Sequence, residues 1–367
     1  MTLILSNDDV KQVLTMEIAM PALEVAYQQI GKREAVCRPR IDIQIPTKDP
    51  QKLYQWGTME GGSISGYFAI RMKSDIVYEG EYEGARTQEK YCVQPGKFCG
   101  LILLISIENG EPLALINDGY LQHIRVGADS GIGVKYMARQ DAQVVGMIGS
   151  GGMARTHAES FLLARKIKKI RVYSPTKTHR EEYAREISDR LGVEVIPMDN
   201  PRDVYKGADI VAGCTDSAVP IIIGKWLEEG THVTCVGGKP DEATLKRIDI
   251  SLRLGNAPAP WGLPELSLPD EYITYSAMPD DDRGFKMKEK GKRAHGVVAE
   301  DRALLLAELL SGSKKGRTSP KQITYSERGN VQGAQFFAVA GKVYELARKK
   351  GLGREIPTDW LLQDIRD

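Results

Sequence analysis

Apolar residues near the start of the chain recur at the spacing of an α-helix. They are Val10, Val13, Leu14, Ile18 and Leu23. Ser6 or Asn7, just before them, can cap the first helical turn with a side-chain oxygen. The pattern therefore predicts one leading helix that begins near residue 7.

Short runs in which apolar and polar residues alternate follow this helix. They occupy residues 41–45, 67–72 and 101–107, and alternation with a period of two predicts β-strands. The turn dipeptide Asn109-Gly110 separates the last run from residues 112–117, which predicts a hairpin. We expect the first 120 residues to form an antiparallel sheet preceded by a helix.

From about residue 125 to residue 255, strand-like and helix-like segments alternate. The predicted strands cover residues 144–148, 170–173, 193–196, 210–212 and 232–236, and the predicted helices cover residues 154–164 and 180–191. Such alternation is typical of βαβ units around a parallel sheet. The fold class predicted for the chain is α/β, with a smaller α+β domain formed by the N-terminal stretch.

Residues 256–300 break the alternation. Four prolines and a charged run over residues 280–293 predict a long loop, which is either a solvated insertion or a lid over an active site. Two further helices are predicted after it, over residues 300–310 and 334–350. The second is apolar along one side.

A glycine-rich loop follows the predicted strand 144–148 and opens a predicted helix. Its residues are Gly149, Ser150, Gly151, Gly152, Met153 and Ala154, in the pattern Gly-x-Gly-x-x-Ala. In this context Gly149 allows a tight turn, Gly151 lets a pyrophosphate approach the backbone, and Ala154 lets the helix pack on the strand. The loop predicts a Rossmann module that binds a nicotinamide dinucleotide at a helix N-terminus.

The end of the second Rossmann strand distinguishes NAD from NADP. An Asp or Glu there usually binds the ribose 2′-hydroxyl of NAD, whereas this chain has Ser174 at that point. Thr176, Lys177 and Arg180 follow at once, and polar or basic groups suit a 2′-phosphate. Lys177 and Arg180 would also suit the solvated start of a helix. The sequence favours NADP(H) over NAD(H).

Composition narrows the class of protein. The 367 residues include 50 Lys and Arg against 49 Asp and Glu, a balance that argues against a general binder of nucleic acid or anionic membranes. The longest purely aliphatic stretch, residues 101–105, is far shorter than the roughly 20 residues of a membrane span. The five cysteines and five histidines lack metal-ligand spacing, so we expect free thiols, no metal and a cytoplasmic protein.

Several segments around the glycine loop resemble the ornithine cyclodeaminase/mu-crystallin family. They are residues 121–126, 138–139, 207–211 with Thr215, 230–238, 316–317, 323–325 and 343–344. The resemblance covers most of residues 35–350, apart from the proline-rich insertion. It implies a Rossmann domain over residues 125–317. A substrate-binding and dimerisation domain would combine residues 1–124 with 318–367, so a homodimer through the N-terminal sheet is expected.

The resemblance also implies which residues act. A cluster of cations would hold a substrate carboxylate: Arg40 and Arg125 match family arginines, and either Arg71 or Lys73 takes the place of a family lysine between them. Arg71 and Lys73 lie two residues apart on a predicted strand and so face the same side. Thr215, Val236 and Gly237 would border the cofactor.

The chemistry implied is hydride transfer between a nicotinamide and the carbon that bears nitrogen in an amino acid or imine. Cyclodeaminases of the family carry a catalytic aspartate where this chain has Lys239. That substitution disfavours ornithine cyclisation and favours an imine reductase or amino-acid dehydrogenase, with Lys73 or Lys239, or a water held by them, as proton donor. A cyclodeaminase that recycles NAD, and a protein that binds NADP and a small carboxylate without turnover, are the alternatives.

Overall fold

The computed structural model describes residues 1–82, 85–217, 219–237, 239–268, 272–278 and 300–365. The strands in these residues form two sheets. In chain order the strands are β1 (Thr2–Leu5), β2 (Ala35–Cys37), β3 (Arg40–Pro46), β4 (Lys52–Ser63), β5 (Tyr67–Tyr82), β6 (Ala85–Tyr91), β7 (Cys99–Ser106), β8 (Pro112–Asn117), β9 (Val144–Ile148), β10 (Lys169–Tyr173), β11 (Glu194–Pro197), β12 (Ile210–Cys214), β13 (His232–Val236), β14 (Ile250–Arg253), β15 (Tyr272–Ser276), β16 (Ala303–Leu305), β17 (Thr324–Glu327) and β18 (Arg354–Ile356). The α-helices are α1 (Asn7–Lys11), α2 (Met16–Lys32), α3 (Gly119–Met137), α4 (Gly152–Ala164), α5 (Lys177–Leu191), α6 (Glu242–Arg247), α7 (Leu306–Leu310) and α8 (Gln332–Lys350).

The eight-stranded sheet is parallel and runs in the order β11-β10-β9-β12-β13-β17-β14-β16. The chain moves outward from β9 to β10 and β11, then returns to place β12 on the other side of β9. This reversal of strand order leaves a crevice at the carboxyl ends of β9 and β12, where doubly wound sheets bind dinucleotides. The predicted Rossmann module is thereby confirmed.

The ten-stranded sheet is mostly antiparallel and runs in the order β15-β3-β4-β5-β7-β8-β1-β18, with β2 beside β4 and β6 beside β5. The predicted hairpin at Asn109-Gly110 is confirmed, because it joins the antiparallel strands β7 and β8. Alternate residues such as Ala69, Ile102 and Leu104 are buried in a core to which α2 and α8 contribute. The fold is thus the α/β class predicted, a Rossmann domain with an α+β partner.

Two predicted helices differ from the structure. The leading helix is two helices, α1 capped by Ser6 and α2 beginning after Thr15, and strand β1 precedes them and pairs with β8. The helix predicted over residues 300–310 is a 3-10 turn, strand β16 and the short α7. In the second case pairing of β16 with β14 overrides the helical propensity of the Ala-Leu-Leu run.

Three elements lie across the predicted domain boundaries. Helix α3 spans residues 124 and 125, β17 joins the parallel sheet, and β15, from the proline-rich insertion, extends the antiparallel sheet by pairing with β3. The insertion is therefore not a plain loop where it is described; the charged run over residues 280–293 lies outside the described residues. No helix in the described part of the chain is long and apolar enough to cross a bilayer.

Candidate functional site

A cleft of about 220 Å³ lies between the two sheets. One wall comes from the Rossmann domain and includes Met153, Thr234, Cys235, Val236 and Gly237. The facing wall comes from the antiparallel sheet and includes Arg40, Met59, Arg71, Lys73 and Lys90. Between them, α3 contributes Gln122, Arg125, Val126, Asp129 and Ser130, and the residues around the end of β17 contribute Ser326, Glu327, Arg328 and Gln332.

The glycine loop joins β9 to α4 at the carboxyl edge of the parallel sheet. Gly149 has φ +109°, and a Cβ there would lie 2.0 Å from the carbonyl oxygen of Cys214, so only glycine fits. A Cβ on Gly151 would meet nothing within 4 Å. Ala154 is fully buried in the contact between α4 and the sheet. Open space at Gly151, next to the first amides of α4, fits a bound pyrophosphate.

At the tip of β10, Ser174 accepts a hydrogen bond from Ser150 Oγ at 3.0 Å. Thr176 is the N-cap residue of α5, and Lys177 is largely exposed, 3.7 Å from Glu181. Arg180 is placed differently from the sequence-based expectation.

Arg180 is buried, not directed to a 2′-phosphate. It donates to the carbonyl oxygens of Ser174 at 3.0 Å and Pro175 at 3.2 Å, and pairs with Asp199 at 2.5 Å. It therefore holds the loop that follows β10. The first turn of α5 carries Arg180 back over the loop, where three oxygens satisfy its guanidinium.

Two further loops border the cleft at the ends of β12 and β13. A Cβ on Gly237, which has φ +70°, would lie 2.2 Å from the carbonyl oxygen of Thr215, so the two loops touch. Val236 and Gly237 line the cleft, and Thr215 supports them from the neighbouring loop. The loop segments expected beside a cofactor thus lie together next to the glycine loop.

The facing wall is set by strand register. Met59 on β4 is opposite Arg71 on β5, and Gly57 is opposite Lys73, so both cations face the cleft as the period of two predicts. A Cβ on Gly57 would lie 2.8 Å from Lys73 Cε, so the absence of a side chain at Gly57 gives the lysine its path.

Three of the cations in this wall pair with carboxylates. Arg40 Nε lies 2.7 Å from Asp42 Oδ1, Arg71 Nε lies 2.5 Å from Asp118 Oδ2, and Lys73 Nζ lies 3.0 Å from Asp75 Oδ2. All three pairs are largely buried. Each charge is tolerated there because the opposite charge lies beside it. The pairs fix the direction of each cation before any ligand enters.

Lys73 has an unusual proton affinity. Burial, followed by the positive charge of Arg40, lowers the pKa of Lys73 to about 7, although Asp75 and Asp42 oppose the shift. When Gln55 presents its amide oxygen, it accepts from Lys73 Nζ at 2.9 Å and from Arg40 Nη2 at 3.1 Å. A lysine with a pKa near neutrality can give and recover a proton at physiological pH.

Arg125 is the most buried cation of the cleft, with 2% of its surface exposed. It donates to Gln335 and, at 2.8 Å, to Gln122, and it stacks on the ring of Phe336. Burial and nearby positive charge lower its pKa to about 9. Among the described residues its Nε has no hydrogen-bond partner.

A buried polar cluster fixes Gln335 in turn. The amide nitrogen of Gln335 donates to Asp129 and to Tyr27 Oη, and Tyr27 also donates to Asp129. Burial raises the pKa of Asp129. This cluster orients the amide oxygen of Gln335 toward Arg125.

Lys239, the second predicted proton donor, is exposed and does not line the cleft. Its carbonyl oxygen accepts from the amide of Ile221. The structure thus does not bring Lys239 together with the other predicted site residues in the cleft. The described residues hold no group of three His, Cys, Asp or Glu side chains placed to bind a metal ion.

Several cleft residues were not predicted. Gln122 and Asp129 lie three residues before and four residues after Arg125, so helical spacing from that arginine would have found them. Lys90 and Arg328 reach the cleft through strand pairing and a turn, for which the sequence carries no local signal.

The comparisons with known proteins agree with this geometry. The family model described as "Ornithine cyclodeaminase/mu-crystallin family" matches residues 82–254. A delta(1)-pyrroline-2-carboxylate reductase of Bacillus cereus is 25% identical over 96% of this chain and 99% of its own length.

Two solved structures share the fold. The delta(1)-pyrroline-2-carboxylate reductase of Thermococcus litoralis, in complex with NADH and L-proline, matches with a TM-score of 0.71 and 24% identity over 97% of this chain and 100% of that one. An archaeal alanine dehydrogenase dimer with bound NAD matches with a TM-score of 0.73 and 24% identity over 97% and 99%.

Proposed function

Because the chain belongs to the ornithine cyclodeaminase/mu-crystallin family, we propose that it is a nicotinamide-dependent oxidoreductase that acts on the carbon–nitrogen bond of an amino acid or imine. The observation that carries the proposal is Arg125, a buried arginine whose Nε–H lacks a partner among the described residues, in a cleft that the glycine loop borders. A buried N–H without a partner is costly, and a substrate carboxylate would satisfy it.

Arg125 and Arg71 would bind the carboxylate, with Arg40 beside them. Both guanidinium groups pack on Phe336, at 4.8 and 5.8 Å from the ring centre, so one apolar platform brings them to the same part of the cleft. Charge-assisted bonds to a carboxylate are strong and directional. They would hold the carbon–nitrogen bond in one orientation for hydride transfer.

Lys73 would supply the proton. An imine must gain a proton at nitrogen when hydride adds to its carbon, and the protonated Lys73 amine, with its pKa of about 7, is a suitable donor inside the cleft. In the direction of amine oxidation the neutral amine would accept the proton. Asp75 holds the amine in place in either state.

The cofactor supplies or accepts hydride when bound, and the residues from Gly149 to Ala154 fit its pyrophosphate. We further propose a preference for NADP(H). Ser174 stands where a carboxylate would repel a 2′-phosphate, and the exposed Lys177 lies three residues further along the chain. With Arg180 engaged by backbone carbonyls, this preference rests on Ser174 and Lys177.

Assays with purified protein separate the alternatives. Reduced nicotinamide, followed at 340 nm, should be consumed with cyclic imino acids or with 2-oxo acids plus ammonium. Release of proline and ammonia from ornithine would instead identify a cyclodeaminase. Binding of dinucleotide and carboxylate with no turnover in either assay would identify a binding protein.

A homodimer through the antiparallel sheet is also proposed. The face of this sheet opposite the helices carries apolar side chains that are only partly buried, at Ile70, Met72, Leu101 and Leu103. The apolar side of helix α8 packs within the chain against α2, β4 and β5, so the proposed interface does not depend on it. Light scattering should give a mass near twice the 40.6 kDa of one chain, and a mass of 40.6 kDa at micromolar concentration would contradict the dimer.

A further inference from the structure

Two cysteines, Cys92 and Cys99, stand at the two ends of the loop 93–98, which leaves the antiparallel sheet between β6 and β7. Both strands pair with the same edge of β5, one after the other, since β4 occupies the opposite edge. Tyr91, the last residue of β6, is opposite Ile76, and Cys99, the first residue of β7, is opposite Ser74. A single position of β5 therefore separates the partners of the two strand ends.

Backbone hydrogen bonds close the loop at its base. The amide of Cys92 donates to the carbonyl oxygen of Lys97 at 2.8 Å, and the amide of Gln94 donates to the carbonyl oxygen of Cys92 at 2.8 Å. Val93 has φ +68°, a left-handed conformation that is unusual for a β-branched residue and turns the chain out of the strand at once. The loop thus leaves the sheet and returns to it at nearly the same place.

Strand register and loop closure place the two cysteines at the distance of a disulfide. Cys92 directly follows the last residue of β6, so it falls beside Asp75, one strand position from the partner of Cys99. One or two such steps measure roughly 3–7 Å, and a disulfide joins Cα atoms that lie about 4.4–6.8 Å apart. The two thiols lie within hydrogen-bond distance of each other, and both are free.

A small molecule can reach both side chains. Cys92 and Cys99 are half-buried, and they line a surface groove of about 520 Å³ together with Lys97 and Phe98, which are exposed. A groove of this size is large enough for a small-molecule ligand. The groove also includes Leu101, which belongs to the face proposed for the dimer, so access has to be measured on the protein in the assembly that it forms.

The other three cysteines, all within the described residues, offer a comparison. Cys37 and Cys214 are buried. Cys214 on β12 is opposite Val236, whereas Cys235 on β13 is opposite Gly213, so the side chains of Cys214 and Cys235 point to opposite faces of the sheet. These two neighbours cannot be joined without turning a strand over. The pair at the loop base therefore combines proximity, suitable direction and access.

We propose that Cys92 and Cys99 form a dithiol site that a small-molecule disulfide oxidises to an intrachain disulfide across the base of the loop. One protein thiolate attacks the small disulfide, forms a mixed disulfide with one half of it and releases the other half as a thiol. The second cysteine then attacks the protein sulfur of the mixed disulfide, which forms the intrachain bond and releases the second small thiol. The protein dithiol loses two electrons, the small disulfide gains them, and both protons leave on the released thiols.

The surroundings of the two sulfur atoms assign the order of attack. Burial, followed by the neighbouring Cys92 and by the carboxylates of Asp118 and Asp75, raises the pKa of the Cys99 thiol. Because the thiolate is the nucleophile, Cys99 is the poorer first attacker. Cys92, next to the groove that Lys97 lines, attacks the small disulfide, and Cys99 resolves the mixed disulfide.

The bridge forms directly behind the cation wall of the cleft. Gly100, the residue after Cys99, is opposite Lys73 on β5, and its carbonyl oxygen accepts from the amide of Asp118 at 3.1 Å. The carboxylate of Asp118 in turn pairs with Arg71. Oxidation therefore alters the chain one residue away from the support of two cleft cations.

Oxidised glutathione, added to the reduced native protein, tests the site. The intact mass should fall by two hydrogen atoms with no glutathione retained, and peptide mapping should show Cys92 joined to Cys99. Dithiothreitol should restore both thiols. Glutathione retained on the wild-type protein, a bridge to another cysteine, or no reaction at either thiol would overturn the proposal.

Single variants test the order of attack, with circular dichroism as the folding control. Cys99→Ser lacks the resolving thiol, so it should accumulate glutathione on Cys92. Cys92→Ser should react with oxidised glutathione about tenfold more slowly than Cys99→Ser. An equal or faster reaction of Cys92→Ser would contradict the assigned order. Cys235→Ser, which removes a half-buried cysteine outside the loop, should leave the bridge and its rate of formation unchanged.

An equilibrium measurement tests whether the fold itself favours the bridge. In mixtures of reduced and oxidised glutathione, we expect the equilibrium constant for bridge formation to be about tenfold larger in the native protein than in concentrated urea. The reason is that strand register holds the thiols together only in the folded chain. A smaller constant in the native protein would show that pairing with β5 holds the thiols apart, and it would overturn the proposal.

Discussion

The two sides of the cleft present different groups to a ligand. The glycine loop beside the Rossmann wall uses consecutive residues, Gly149 to Ala154, and acts through backbone amides and empty space. The facing wall uses side chains from β3, β5, β6 and α3, most of them charged and several buried in pairs. The glycine loop is local, whereas the facing wall depends on how distant strands align.

This difference predicts how substitutions in each wall affect the protein. A change in the glycine loop acts through steric fit, so its effect depends on whether the added atoms meet protein or the space that a ligand would fill. A change in the cation wall acts through charge, so it leaves a buried partner unsatisfied. Substitutions in the two walls should therefore have different effects on the stability of the protein, on its affinity for ligands and on the pH dependence of its activity.

The largest effect is expected at Arg125. Arg125→Met should lower kcat/KM roughly a thousandfold, about 4 kcal/mol, because it removes a buried cation from the substrate carboxylate. Arg125→Lys, which keeps a charge but loses the planar fork, should recover only part of the loss. Steady-state kinetics with circular dichroism as a folding control measures both, and a loss of less than tenfold for Arg125→Met would refute the carboxylate role.

A matched pair of glycine variants tests the Rossmann wall. Gly149→Ala should lower the melting temperature by several degrees, because its Cβ would clash with the carbonyl oxygen of Cys214 at a positive φ. Gly151→Ala should leave the melting temperature nearly unchanged, because its Cβ meets no protein atom, yet weaken dinucleotide binding by about ten- to a hundredfold. Calorimetry and fluorescence titration measure the two effects, and equal melting temperatures for both variants would contradict this division.

The same contrast explains what the sequence could predict. The glycine loop, the alternation around it and the Asn109-Gly110 hairpin are local patterns, and the structure has each of them at the expected residues. Arg71 and Lys73 were expected on one face because a strand has a period of two. The carboxylate partner of Arg71 could not be predicted, since Asp118 reaches it from beyond the next two strands, whereas Asp75, the partner of Lys73, lies two residues along the same strand.

The differences from expectation have the same origin. Lys239 follows the motif by position, but its side chain is exposed and does not line the cleft. Arg180 follows β10 as expected, but the loop carbonyls occupy it. Lys90 depends on the register of a 16-residue strand with its neighbour, and no short pattern encodes that register.

The pH dependence distinguishes the charged wall. With a pKa of about 7, Lys73 loses its proton as the pH rises through neutrality, so the reduction rate should fall about tenfold for each pH unit above 7. Lys73→Arg, which stays protonated, should abolish this limb together with most of the activity. A profile of kcat/KM from pH 5 to 9 measures it. A flat wild-type profile across pH 7 would contradict proton donation by Lys73.

The smallest effect concerns the far end of the cofactor site, where the Rossmann wall too relies on a side chain. Fluorescence titration should show tighter binding of NADPH than of NADH, and Ser174→Asp should shift the ratio of the two affinities toward NADH by about tenfold, or 1.4 kcal/mol, because the new carboxylate would repel a 2′-phosphate.

Lys177→Gln should weaken the binding of NADPH alone, since the Lys177 side chain is exposed. Arg180→Gln should instead lower the melting temperature and weaken both cofactors alike, because it releases the carbonyl oxygens of Ser174 and Pro175. Wild-type protein that binds NADH tenfold more tightly than NADPH would overturn the preference, and the space around Ser174 would then serve a ribose hydroxyl.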